Sequence, residues 1–454
     1  MAEPPDHEAA PGLRRRFLGL AVPSIVASLM VPVASLVDAA ILGHLEVLEP
    51  LAGVALAGVV FDMLYWSFGF LRMGTTGLSA QAFGRGEVRE VRALLLRAGL
   101  IACVLAGLIL ATQGPVAWLA FAVLDGEPAV EAAARAYFDA RIWAAPAVLL
   151  NFCVTGWLLG LQRTRPILVL ATVSNGTNVA LDYLFIVEWG WGAAGAGWAT
   201  MASQVASLLV ALPIARRAWR ELADGASGDA DARSPDASEV LSWTRLRPLL
   251  SLGRDIWLRT LALIGAFAIF TNFSAAFSST LLAANALLLR VLGLASYFVD
   301  GFAHATESLT GESAGRDDRG GLRRLLLLAL RWGLGTGAAF AGAFIAFPGL
   351  FGLLTDQPEL LATVVAARGW LVVVLLLGSL AYVLDGYFIG LAAGRTLSRA
   401  MLLSFGVGFL PLALASRYAG GGPSMLWFAL IAFMAARGLT LAAAVPGTLR
   451  QPSA

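Results

Sequence analysis

Twelve long, predominantly apolar runs punctuate this sequence, near 17–43, 50–82, 92–120, 130–160, 166–187, 192–216, 246–275, 281–312, 323–347, 359–391, 398–416 and 424–446. A helix rises 1.5 Å per residue, so about 20 apolar residues cross the roughly 30 Å hydrocarbon core of a bilayer. Within that core every backbone N–H and C=O must be satisfied by the chain itself, which leaves helices or closed barrels. Barrel strands need only about ten residues, so runs of this length point to helices. Of all residues 58% are hydrophobic and 14% charged, against about 25% charged in a soluble domain. A soluble globule, a disordered chain, collagen and a disulfide-stapled miniprotein are all excluded. The expected fold is an all-α polytopic membrane protein, with twelve transmembrane helices in two pseudo-symmetric six-helix bundles.

Arg14, Arg15 and Arg16 precede the first run in the manner of a secretory leader. The run then continues uncharged through Val37, too long for a leader's apolar segment, and no small-residue cleavage pattern ends it. It reads as a retained first span. The stretch from Arg220 to Arg247, rich in Asp, Ser, Gly and Ala, reads as a flexible polar linker. The expected organisation is a tail over 1–16, an N lobe over 17–218, a linker over 219–245, a C lobe over 246–448 and a short tail over 449–454.

All basic residues are arginine, and their placement sets sidedness, because cytoplasmic loops retain positive charge. One series of alternating loops carries Arg14–Arg16, then Arg85, Arg89 and Arg92, then Arg163 and Arg165, the linker arginines, Arg316 to Arg324, and Arg395 with Arg399. The other carries Glu46, Glu49, Asp125, Glu127, Glu188, Asp356 and Glu359, with Arg417 the one basic exception. Both termini and the linker are therefore expected in the cytoplasm. With a net charge of only +2 no nucleic-acid partner is expected. His7, His44 and His304 lie far apart and Cys103 and Cys153 fall inside apolar runs, so neither a structural metal nor a disulfide framework is expected.

The halves repeat weakly at an offset of roughly 230 positions. Ala140-Arg141-Ile142-Trp143 resembles Ala367-Arg368-Gly369-Trp370, Gly156 and Gly160 resemble Gly386 and Gly390, and Gly84-Arg85 matches Gly315-Arg316. Duplicated bundles of this kind build transporters that alternate access to a central site.

Charge inside a span costs about 2.5 to 3.5 kcal/mol on insertion scales and marks function by default. Asp38 stands late in span 1, Asp62 and Arg72 in span 2, Asp182 near the middle of span 5, and Arg254, Asp255 and Arg259 in span 7. Span 8 carries Arg290, Asp300, His304 and Glu307, span 10 Asp385 and span 12 Arg437. Asn178 lies one helical turn before Asp182, so amide and carboxyl share a face able to hold a proton or a cation. Pro23 and Pro32 permit span 1 to bend beside Asp38. Plainer readings stand alongside. Asp38 also reads as a helix-end cap and Asp182 as a structural hydrogen-bond acceptor. Arg254, Asp255 and Arg259 read equally as an interfacial ion cluster, and Asp300 and Glu307, seven apart on one face, have Arg290 and His304 as structural partners. Asp62 and Arg72 read as structural. The glycines at 192–197, with Gly333 and Gly337, follow no strand and point to close helix packing rather than to a phosphate loop.

Several segments resemble the multidrug and toxic compound extrusion (MATE) family, in the branch typified by bacterial DNA-damage-inducible protein F. They are VDAAILGHL from Val37, FLRMGTTGLSAQAFGRG from Phe70, LDYLFIV from Leu181, RDIWLRT from Arg254, AANALLL from Ala283, SYFVDGFAHATESLTGESAG from Ser296 and DGYFIG from Asp385. The resemblance spans about Phe17 to Pro446. It implies two six-helix lobes in a bacterial inner membrane and export of amphipathic, often cationic compounds, driven by proton or sodium influx. It implies further that Asp38 and Asp182 are N-lobe coupling acids with Asn178 and Thr200 as polar neighbours, and that span 1 bends at Pro23. Sodium-coupled relatives place a C-lobe cation site at positions comparable to Asp255 and Asp385, with Asp300 and Glu307 as secondary candidates.

The expectation is thus a proton-coupled antiporter, with sodium as the alternative ion, working without a cofactor as a monomer among membrane lipids. Asp38 and Asp182 would share a proton whose binding and release drive opposite conformations. A lipid-linked oligosaccharide flippase would need a strongly basic cavity, for which only Arg72, Arg259, Arg290 and Arg437 are available. An intramembrane enzyme would need a nucleophile with its base, which no spacing supplies, and a passive channel would conduct without coupling. No ATP-binding motif is present.

Overall fold

A computed structural model describes residues 10–45, 47–123, 127–225 and 233–450. Glu46 and Asp125 of the arginine-poor loops, the tail residues 1–9 and 451–454, and 226–232 of the linker lie outside the described residues. Among the described residues there is no strand, and eleven helices are long and apolar enough to cross a bilayer. They are α1 (Ala10–Gly43), α2 (Glu49–Gly84), α3 (Val88–Ala111), α4 (Pro128–Gly160), α6 (Gly192–Asp224) and α7 (Trp243–Phe277), then α8 (Ser279–Gly315), α9 (Arg319–Ala346), α10 (Pro358–Gly390), α11 (Gly394–Tyr418) and α12 (Gly422–Leu449). The twelfth, α5, runs as an α-helix over Thr164–Asp182 and continues as a π-helical turn, Tyr183–Glu188. It is long enough to cross, and Ser174, Asn175, Thr177, Asn178 and Asp182 make it more polar than the other eleven.

Several expected runs are interrupted for identifiable reasons. The run at 92–120 is two helices: α3 stops at Ala111, the Thr112 hydroxyl donates to the Leu108 carbonyl at 2.8 Å, and a short helix follows at Gln113–Val123. In α4, Pro146 has no N–H to close the ladder, and the preceding turn, Ile142–Ala144, tightens to 3₁₀ geometry. α11 carries a π-helical turn at Ser404–Phe409 just ahead of Pro411.

Both ends of the expected linker, 219–245, are helical instead of flexible. α6 continues to Asp224, and a short helix, Ala237–Leu241, opens with a capping box in which Asp236 and Glu239 satisfy each other's backbone. Arg89 of α3 pairs with Asp236 at 3.2 Å and Glu239 at 3.0 Å, Arg92 donates to the Ser234 hydroxyl at 3.1 Å, and Arg97, 1% exposed, reaches Glu90 at 2.6 Å and the Glu239 carbonyl at 3.3 Å. Linker acids meeting α3 arginines hold the segment down, a pairing that composition does not reveal.

By its internal contacts the chain divides into two units. The first runs from Val26 to Leu250 around a core of Phe61, Tyr137, Phe138 and Leu149. The second takes Ser251 onward around Phe270, Phe409, Trp427 and Phe433, and includes the start of α1 through Ile25. There Phe17 stacks on Phe302 at 6.0 Å, and Arg16 pairs with the buried Glu312 at 2.5 Å.

Candidate transport site

The first unit gathers its polar side chains in one place. α5 supplies Asp182, 1% exposed, and Asn178, 8% exposed, one turn apart on the buried face. α1 supplies Asp38, half-buried, which interacts electrostatically with Asp182. Neither Asp182 oxygen nor Asp38 Oδ1 receives a hydrogen from any other group, and Asn178 Nδ2 likewise has no acceptor. A hydrogen bond between two carboxyls requires that one of them carry a proton. Of the residues named from the sequence, Asn178 and Asp182 are both buried on α5, Asp38 interacts with Asp182 from α1, and Thr200 of α6 meets Tyr137.

Around the pair lies a layer that the list of buried charges omitted. Arg141 of α4 donates to the Tyr137 hydroxyl at 2.6 Å, and its guanidinium lies over the Phe61 ring at 4.7 Å. It acts through space on Asp38, and on Asp62 and Tyr65 of α2. The Tyr137 hydroxyl also meets the Thr200 hydroxyl, which donates to the Ala196 carbonyl at 2.9 Å. Farther along, Asn151 donates to the Gln204 carbonyl at 3.0 Å and Gln204 to the Ser174 hydroxyl at 3.0 Å, linking α4, α5 and α6. The signal for Arg141 was present, an arginine well inside the run at 130–160, though it served there only to align the repeat.

Pro23 lies on the stretch of α1 that belongs to the second unit, and α1 is helical without a break through both Pro23 and Pro32.

In the second unit Asp255 and Asp385 are each engaged by arginine. Asp385 accepts from both Arg259 and Arg437 through the same oxygen, all three residues buried and Arg437 also stacked over Tyr382 at 5.1 Å. Asp255 pairs with its neighbour Arg254 at 2.8 Å. A cation arriving at Asp385 would meet two fixed guanidiniums, and the carboxylate of Asp255 is turned to a different partner. Asp300 acts through space on Tyr382, while Glu307 is buried on α8 five residues before Glu312, which Arg16 and Arg316 hold between them at 2.5 and 2.8 Å. Glu312 escaped the sequence reading because it falls at the end of a span, where acids are ordinary.

The polar residues of the first unit thus gather around a buried acid within a bundle of membrane-crossing helices. Residues 23–184 and 256–414 both match the MatE family model. The chain is 33% identical over 428 residues to the DNA damage-inducible protein F of Escherichia coli, covering 93% of this chain and 90% of that one. It is 27% identical to a probable multidrug resistance protein NorM of Rhizobium meliloti, covering 94% and 92%. A solved structure described as the outward-facing conformation of a multidrug resistance MATE family transporter of the MOP superfamily superposes with a TM-score of 0.86 at 20% identity, covering 97% of each chain. The chain belongs to the multidrug and toxic compound extrusion family; it is a membrane transporter and not an enzyme.

Proposed function

We propose that the chain exports amphipathic or cationic compounds across a bacterial inner membrane in exchange for protons, with Asp38 and Asp182 as the coupling pair. The observation that carries this reading is the pair itself: two carboxyls in contact, one of them fully buried, with no protein donor to either inner oxygen. Loss of the shared proton leaves two like charges side by side in a poorly solvated place, which favours a cationic guest; its return favours expulsion of that guest. Substrate and proton need only prefer opposite conformations of an alternating-access cycle. One proton crossing about 150 mV supplies roughly 3.5 kcal/mol, which sustains a gradient of a few hundred-fold under tight coupling. The arginine-rich loops support a cytoplasmic location for both termini.

The reading is tested with full-length protein in liposomes, following efflux of a fluorescent organic cation under an imposed pH gradient or an imposed sodium gradient. Asp38→Asn and Asp182→Asn are expected to lose the pH-driven rate. Unchanged rates in both variants would overturn the coupling assignment. A response to sodium alone, lost in Asp385→Asn, would move coupling to the second unit against the geometry of its two arginines.

A further inference from the structure

The first turns of α7 pack on the first unit, which claims the chain through Leu250 and buries Leu249 in its core. Between those turns, the end of α2 and the start of α3 lies a cavity of about 280 Å³. Leu78, Leu94 and Pro248 make its apolar wall, while Arg85, Glu90, Thr244 and Arg245 supply its polar part. The acid of that lining is already engaged from the interior: Arg97, buried, holds Glu90 through both oxygens at 2.6 and 3.3 Å. Arg245 reaches the same carboxylate only at 3.6 Å and is 62% exposed, and Arg85 meets Glu87 in a half-exposed ion pair at 2.8 Å. Exposed pairs of this kind are weak, so both guanidiniums keep N–H donors for an anion at the rim. A neighbouring cavity of about 250 Å³ differs, because its three arginines, Arg89, Arg97 and Arg245, stand among three glutamates, Glu87, Glu90 and Glu239. Positive charge is in excess only in the first. Beside that cavity Leu241 and Trp243 are largely exposed. Apolar and indole side chains left outside at the first turn of a membrane-crossing helix sit where headgroups meet hydrocarbon.

We propose that this cavity binds an anionic phospholipid, its phosphate between Arg85 and Arg245 and the first methylenes of its chains against Leu78, Leu94 and Pro248. The site goes beyond the export reading and does not depend on the coupling ion. A soluble phosphate would use the two guanidiniums and leave the apolar wall and the exposed Trp243 without a role. A zwitterionic lipid would use the wall but bring a cation of its own to a rim already positive. Guanidinium–phosphate hydrogen bonds are charge-assisted and often bidentate, and basic pockets between membrane helices take acidic headgroups. Removing one such charged donor is worth about tenfold in affinity. Arginines that served only to tie α7 to α3 would affect stability without distinguishing one lipid from another.

Native mass spectrometry of the full-length protein in mixed micelles counts bound lipids and yields Kd for the first of them. Dioleoylphosphatidylglycerol is compared with dioleoylphosphatidylcholine, which has the same tails and no net charge. The unmodified protein is expected to bind the anionic lipid about tenfold more tightly. Arg245→Gln and Arg85→Gln should each bring the two lipids to within about twofold of one another. Arg323→Gln, at an exposed arginine of α9 outside the cavity, should leave the preference as it was. Millimolar inorganic phosphate should not displace the phosphatidylglycerol. Should either cavity variant fail to fold, the other reads the same preference, since both side chains reach solvent. Equal binding of the two lipids by the unmodified protein, or a preference retained in the cavity variants that fold, would overturn the proposal. An equal loss in Arg323→Gln would overturn it too, by showing general surface attraction in place of a site, and displacement by inorganic phosphate would replace the lipid with a soluble anion. No ion gradient or drug enters the measurement, so its failure would leave the export reading standing.

Discussion

Gly390 of α10 rests directly on the backbone carbonyl of Glu307 in α8, so closely that a single added Cβ would collide with it. One turn earlier Gly386 meets the Ala303 carbonyl in the same way, with 2.6 Å left for a Cβ. The first unit reproduces the arrangement: Gly156 lies on the Arg72 carbonyl, and a Cβ on Gly160 would stand 2.8 Å from Ser79 Cβ and 3.0 Å from the Thr76 carbonyl. The glycine pairs thus let α10 approach α8, and α4 approach α2, at backbone distance.

Alanine at these positions is expected to destabilise despite its better helix propensity. Propensity favours Ala over Gly by about 1 kcal/mol inside a helix, but the obstructing atoms here are backbone or, at Ser79, a Cβ fixed to it, and cannot rotate away. Gly160→Ala and Gly390→Ala should each cost about 1 to 3 kcal/mol, read as earlier thermal unfolding in detergent by tryptophan fluorescence. Gly335→Ala, at an open position of α9, should be neutral or slightly stabilising. Equal behaviour of the three variants would show that close packing does not hold these helix pairs.

Those glycines were legible in the sequence as a repeat, because spacing survives duplication, and so were the spans, because their apolar length is dictated by the bilayer. The stacking of Asn178 on Asp182 was legible from the one helical turn between them, while the partnership of Asp38 with Asp182 came only from the family resemblance. Arg141 was visible as an arginine inside a span but its partners were not, since Asp62 and Tyr65 sit on another helix. Nor was the docking of 233–241 on α3, where composition argued for freedom and four specific arginine contacts argued otherwise. The arginines that hold Asp385 were illegible for a related reason: Arg259 and Arg437 are 126 and 52 positions from it, beyond any spacing rule.

Asp385→Asn is expected to act on stability more than on coupling. It would leave Arg259 and Arg437 buried without the carboxylate they share, and removing one member of a buried ion pair costs about 3 to 5 kcal/mol. Asp255→Asn gives the contrast, because its partner Arg254 is 62% exposed and can turn to water, so the loss should stay within about 1 kcal/mol. Thermal unfolding of both variants beside Asp182→Asn checks this. An Asp385→Asn protein that unfolds with the unmodified one would remove the structural assignment of the triad.

The segment 233–241 is held partly by exposed ion pairs, each worth about 0 to 1 kcal/mol and weakened by salt. Limited trypsin digestion after Arg233 should therefore quicken when sodium chloride is raised from low to molar concentration. It should quicken further in Arg89→Ala, which loses both Asp236 and Glu239. The unfolding temperature of the helical units should barely move. Cleavage already fast at low salt and indifferent to Arg89→Ala would mean the docking is too weak to restrain the chain.

The carboxyl pair makes a final demand on solution behaviour that does not depend on transport. If Asp38 and Asp182 share one hydrogen when the site is empty and yield it to a cationic guest, then binding and proton release are linked, and the linkage is reciprocal. Adding ethidium to the purified protein in weak buffer should release up to about one proton per molecule bound, and apparent affinity should rise with pH by up to about tenfold per unit, since the unprotonated pair is the form that binds. Asp182→Asn has a neutral amide in place of one acid and should bind with a pH dependence flattened to near zero. Asp38→Asn should do the same, because either change removes the second member on which sharing depends. Proton uptake in place of release, or an unchanged pH slope in both variants, would place the titrating group elsewhere in the protein.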